Sequence, residues 1–245
     1  MTLAVKTEGA SHFTARPELV EGCASELQAV LEGIQQIDAC LEEIRPRNVE
    51  TWAVVAALTA AQGILFAEGC LQLWRAGCHS VAVAPVIRSF LEAYVNFLYL
   101  LKARDEALRN LEFAALSAEL KALADGELVN VISKEQKVER RSSLKLDIDH
   151  LQRQGAKEKG VLNRMKEVWP DKHLRVYELY RILSAVSHSR ISWFFRAFGN
   201  SSDMDYWLKS DDLDEQKGRI IIVGEAFRSM SRELNTLMLM NETQK

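Results

Sequence analysis

Turn-forming residues are scarce in this chain: four prolines and twelve glycines in 245 residues. A β-sandwich or barrel of this length needs a turn every few residues, so the scarcity excludes most all-β architectures and favours long helices. Cysteine is sparse too. Cys23, Cys40, Cys70 and Cys78 form no C-x-x-C pair, and seven residues separate Cys70 from Cys78. That spacing fits no common zinc site, and reduced thiols packed in a core are expected. Neither a metal nor another cofactor is expected.

Positive charge is not in excess. The net charge is −3 and the pI near 6.0. A protein that lives on duplex nucleic acid usually carries a strong basic surplus, so double-stranded DNA is not an expected partner. The first residues, MTLAVKTEGASHF, lack the basic and apolar regions of a secretory signal. The stretch from Trp52 to Trp74 is rich in Ala, Val and Leu, but Thr59, Gln62, Glu68 and Gln72 interrupt it. It reads as a core helix rather than a span, so a cytoplasmic protein without a membrane segment is expected. Its Ala53, Ala56, Ala57, Ala60, Ala61 and Gly63 would let a neighbouring helix approach closely.

What is present is helical periodicity, and the expected fold is all-α: one bundle of six or seven helices over residues 17–241, after a flexible tail at 1–16. Leu27, Leu31, Ile34, Ile37, Leu41 and Ile44 recur at helical spacing. Further helices are expected from Asn48 to Arg75, over 81–102, 105–124, part of 130–168, 172–188 and 218–241. Charge is segregated. Lys134–Lys166 holds ten Lys or Arg against five Asp or Glu, and Asp203–Lys217 holds two against six. Solvated helix faces explain both blocks, and a basic strip for RNA is the functional alternative.

Two helices carry polar residues where apolar ones dominate. In the 81–102 helix, Arg88, Glu92 and Asn96 recur every four residues and form a stripe on one face. Charge inside a bundle is costly unless paired, so Arg88 and Glu92 are expected to pair or to line a pocket. In the second helix, Tyr177, Arg181, Ser184 and His188 fall on one edge, with Tyr180 beside them. The two stripes are expected to face each other across the core. Trp193, Phe194 and Phe195, between Arg190 and Arg196, read as core or as a stacking surface for unpaired bases.

The segments RSFLEAYVNFLYL and YELYRILSAVSHS together resemble an uncharacterised bacterial helical family, domain of unknown function 5677, over roughly residues 50 to 200. That resemblance implies a helical fold and no particular reaction. Arg181 and His188, six residues between them, also resemble the signature of HEPN domains, many of which are metal-independent RNA endonucleases of defence systems. The family pattern has a polar residue after the arginine, where this chain has Ile182. The implied chemistry is coherent: a histidine titrating near neutrality can serve a ribose 2′-hydroxyl, and an arginine can hold phosphate.

Seven residues of helix put the two Cα atoms roughly 10 Å apart, and side chains lean toward the helix N-terminus, which takes Arg181 away from His188. A nuclease is therefore expected to be a homodimer that brings Arg181 of one copy to His188 of the other. Three functions are carried forward. The first is a dimeric binding or regulatory module linked to bacterial defence or stress. The others are a HEPN-like ribonuclease using Arg181 and His188, and a small-molecule pocket at Arg88, Glu92 and Tyr180.

Overall fold

In the computed structural model, residues 5–7, 24–44, 50–76, 80–125, 133–187, 198–200, 206–208 and 213–242 are described. Seven helices account for nearly all of them: α1 (Ala24–Ile44), α2 (Thr51–Arg75), α3 (Ser80–Asp125), α4 (Lys134–Arg153), α5 (Val161–Val168), α6 (His173–Ser187) and α7 (Leu213–Glu242). The protein is an all-α bundle. One small sheet accompanies it, from three strands of three residues each: β1 (Val5–Thr7), β2 (Phe198–Asn200) and β3 (Tyr206–Leu208). Their order is β1-β3-β2, with β1 parallel and β2 antiparallel to β3. Part of the segment read as a tail thus supplies a strand.

The body packs α2 against the first part of α3, with α1 and α7 beside them. Small residues on α2 make the close approach: the Cα of Gly63 faces Met230 and Phe90, where an added Cβ would stand 3.3 Å from the Met230 methyl. Gly33 on α1 is tighter, since a Cβ there would meet Phe227 Cβ at 2.7 Å. Trp74, Phe90, Phe97, Tyr99 and Phe227 fill the centre, and the Phe90 and Phe227 rings stack at 4.8 Å. Each fully buried large side chain contributes about 1.5–3 kcal/mol relative to exposure.

By length and composition α2 does qualify as a membrane span, with a mean hydropathy of 1.7 over its most apolar 18 residues. The interruptions at Thr59, Gln62, Glu68 and Gln72 are too mild to disqualify it. Here it is a core helix: Ala53, Ala56, Ala60, Ala67, Cys70 and Trp74 are buried, while Val54, Leu58 and Leu65 form an exposed apolar stripe.

The expected boundary between helices at 102–105 appears as a break inside α3. Arg104 has φ 46° and ψ −120°, a conformation outside the helical region. A residue held in so sparsely populated a backbone region costs about 1–3 kcal/mol, and the Arg104 guanidinium lies 5.3 Å over the Trp52 ring. Beyond it, residues 105–125 and α4 form an antiparallel hairpin with its own small core of Phe113, Ile148, Leu151 and Ala156. Arg140 grips Glu119 with two bonds of 2.7 and 2.8 Å across the arms. A capping box starts α4: Ser133 Oγ accepts from Gln136 N, and Gln136 Oε1 accepts from Ser133 N.

Candidate functional site

Three helices meet around Glu92, which stands between Arg88 of α3, Tyr180 of α6 and Arg164 of α5. The register of α3 puts Arg88, Glu92 and Asn96 one turn apart, and the face of α6 that buries Tyr180 and Leu183 turns Ser184 toward them. Arg88 Nε donates to Ser184 Oγ at 2.9 Å, and Arg88 Nη2 donates to the Tyr180 hydroxyl at 3.0 Å. The Tyr180 hydroxyl donates in turn to Glu92 Oε2 at 3.2 Å. The Arg88 guanidinium lies 5.2 Å from the Tyr180 ring centre, and Tyr177 stacks on Tyr180 at 6.1 Å. Of the two expected stripes, Arg88 on one therefore meets Ser184 on the other, and Tyr180, beside that edge, bridges Arg88 to Glu92.

Arg164 on α5 completes the cluster. It is buried, donates from Nη1 to Asn96 Oδ1, and places Nη2 3.6 Å from Glu92 Oε1. Its Nε is buried and has no hydrogen-bond partner among the described residues. Burial pushes the guanidinium below its ordinary pKa, and Glu92, Tyr180 and Tyr99 offset that in part. Sequence reasoning counted Arg164 only as one charge of the basic strip. Val161, Met165 and Val168 give α5 an amphipathic spacing, but nothing in it marks the neighbouring arginine as an inward residue.

The edge expected on α6 splits. Tyr177 is half-buried and Ser184 joins Arg88, but Arg181 is exposed. The helix presents Tyr180 and Leu183 to the core, which turns position 181 to solvent beside Ile182, itself 37% exposed. His188 lies outside the described residues, as do Arg190, Trp193, Phe194, Phe195 and Arg196.

A second polar cluster lies along α3. Lys159 Nζ donates to Glu167 Oε1 at 2.7 Å and to Glu106 Oε1 at 3.0 Å, and sits 5.3 Å from the centre of the Tyr99 ring. Buried Asn110 donates to the Tyr99 hydroxyl at 2.8 Å and accepts from Lys157 N at 2.7 Å. Burial opposes the charge on Lys159, but hydrogen bonds to Glu167, Glu106 and Tyr99 outweigh it and raise the pKa. The hydrogen bond and charge of Lys159 lower that of Glu106.

Of the two described cysteines, Cys70 is fully buried, and desolvation pushes its thiol up to about 12. Cys40 donates to Asn235 Oδ1 at 3.1 Å. Among the described residues, no three His, Cys, Asp or Glu side chains gather closely enough to hold a metal ion. No protein-family model matches this chain, and no curated protein or solved structure matches it either.

Proposed function

We propose that this protein is a cytoplasmic binding or regulatory module, homodimeric and non-enzymatic, of the kind that bacterial defence or stress systems use. One observation carries the reading: the hydroxyls of the cluster are spent on its charges. Ser184 accepts from Arg88, and Tyr180 bridges Arg88 to Glu92. A serine nucleophile needs an adjacent base; among the described groups the Ser184 hydroxyl touches a guanidinium instead, and the Tyr180 hydroxyl donates to a carboxylate that stands between two arginines as their counter-ion. Such a cluster fixes the register of α3, α5 and α6 and recognises charge.

The rival reading is the HEPN-like ribonuclease, with RNA as substrate. It draws on the exposure of Arg181 next to exposed Leu174 and Ile182 on α6. An apolar-edged helix face of that kind suits a two-fold contact. The test incubates purified protein with single-stranded RNA and a metal chelator, beside Arg181→Ala and His188→Ala. The expected outcome is the same intact RNA in all three. Cleavage by the wild type that both substitutions abolish would overturn the binding-module reading.

A further inference from the structure

We propose that Arg88 and Arg164 form a binding site for a phosphoryl anion, with Glu92 as a built-in competitor for it. The proposal rests on the binding-module reading and names what the module would bind.

The argument begins with how each guanidinium is held. Neutral groups fix both: Ser184 and Tyr180 hold Arg88, and Asn96 holds Arg164. The charge partner is not fixed in the same way. Glu92 stands 3.8 Å from Arg88 and 3.6 Å from Arg164, one oxygen toward each. Charge-assisted bonds between such groups normally close to about 2.7–2.9 Å. Among the described residues, the one hydrogen bond on this carboxylate comes from Tyr180 at 3.2 Å. Two cations thus share one loosely seated anion, and the buried Nε of Arg164 has no hydrogen-bond partner among the described residues.

Access and stoichiometry point the same way. The Arg88 side chain is 26% exposed and that of Glu92 is 35% exposed. The carboxylate can therefore swing toward water while the guanidiniums keep their neutral partners. A phosphate monoester carries about −1.5 to −2 charges at pH 7, which balances two guanidiniums where one carboxylate does not. It also offers three acceptor oxygens in the geometry that arginine forks grip bidentately. The Tyr177–Tyr180 stack lies beside the Arg88 guanidinium, so free phosphate and the phosphate of a nucleotide are the two sources to separate.

The experiment titrates inorganic phosphate, and separately adenosine monophosphate, into the full chain and into Glu92→Gln. Binding is read by calorimetry and by broadening of the phosphorus resonance, and circular dichroism checks folding. The wild type should bind weakly. Glu92→Gln should bind about tenfold tighter, the equivalent of roughly 1.4 kcal/mol of competition removed. Adding Arg88→Lys or Arg164→Met to Glu92→Gln should abolish the gain. Tighter binding of the nucleotide than of phosphate assigns the Tyr177 side to a nucleoside; equal binding assigns free phosphate.

A purely structural cluster would give no broadening with the wild type and no gain in Glu92→Gln, and either result overturns the proposal. If Glu92→Gln fails to fold, wild-type broadening decides alone. RNA cleavage would overturn the binding-module reading and leave this titration standing. A silent titration would remove the site and leave the RNA result untouched.

Discussion

Two polar clusters lie along α3, and they invert each other's stoichiometry. At Lys159 one cation meets two carboxylates, Glu167 and Glu106, at 2.7 and 3.0 Å. At Glu92 one carboxylate meets two cations, at 3.6 and 3.8 Å. The first is closed by short bonds and ties the hairpin to the connection before α5. The second is open by several tenths of an ångström on both sides, although its arginines are well oriented. Ion-pair chemistry alone does not separate a brace from a receptor. The balance of charge and the length of the bonds do, because a deficit of anion and slack in the contacts are what a ligand can use.

Substitutions should separate the two clusters. The largest effect is expected at Asn110, whose amide serves both the Tyr99 hydroxyl and the Lys157 backbone from a buried position. Asn110→Ala strands both groups and should cost about 2–4 kcal/mol in a urea unfolding series. Lys159→Met comes next, at about 1 kcal/mol, because Glu106 and Glu167 are exposed enough for water to screen the loss.

That variant should also change the acid limb of the stability curve. The folded pKa of Glu106 is depressed below the ordinary 4.5, so its contribution is present above that value and fades as pH falls through the folded one. Without Lys159 the fall below pH 4.5 should be shallower. The raised pKa of Lys159 acts at the other extreme: its contribution is full below 10.5 and is lost as pH climbs through the higher folded value.

The smallest effect is expected at Arg164. Arg164→Met removes a desolvated charge and leaves a carboxylate that is 35% exposed, so stability should move by no more than about 1 kcal/mol in either direction. A loss of about 3 kcal/mol or more would mean that Arg164 braces the bundle more firmly than Lys159 does, and the contrast would collapse.

Much of this was legible in the sequence where spacing is enough. Arg88, Glu92 and Asn96 share a face by arithmetic, and the gap after Lys102 was placed within two residues of the break at Arg104. Periodicity also fixed the inward stripe of α1, where Leu27, Ile34 and Ile37 are buried. It failed where tertiary packing chooses between adjacent faces. Tyr177, Arg181 and Ser184 fit one helical edge, but burial of Tyr180 and Leu183 rotates that edge and leaves Arg181 in water. Arg164 was invisible for a related reason. An eight-residue helix offers two turns of pattern, too few to mark an arginine as inward. The strands, three residues each, leave no alternation to read.

The break at Arg104 sets how this architecture can grow. An unbroken helix of 46 residues would be a rod of about 69 Å, and any insertion along it would rotate everything downstream by about 100° per residue. With continuity interrupted, the faces of residues 105–125 are phased by their pairing with α4 and not by the turns that carry Arg88 and Glu92. Matched additions to the two arms would lengthen the hairpin and leave the cluster's geometry where it is. The reach of the hairpin and the shape of the cluster are therefore separate design variables, joined at one strained residue.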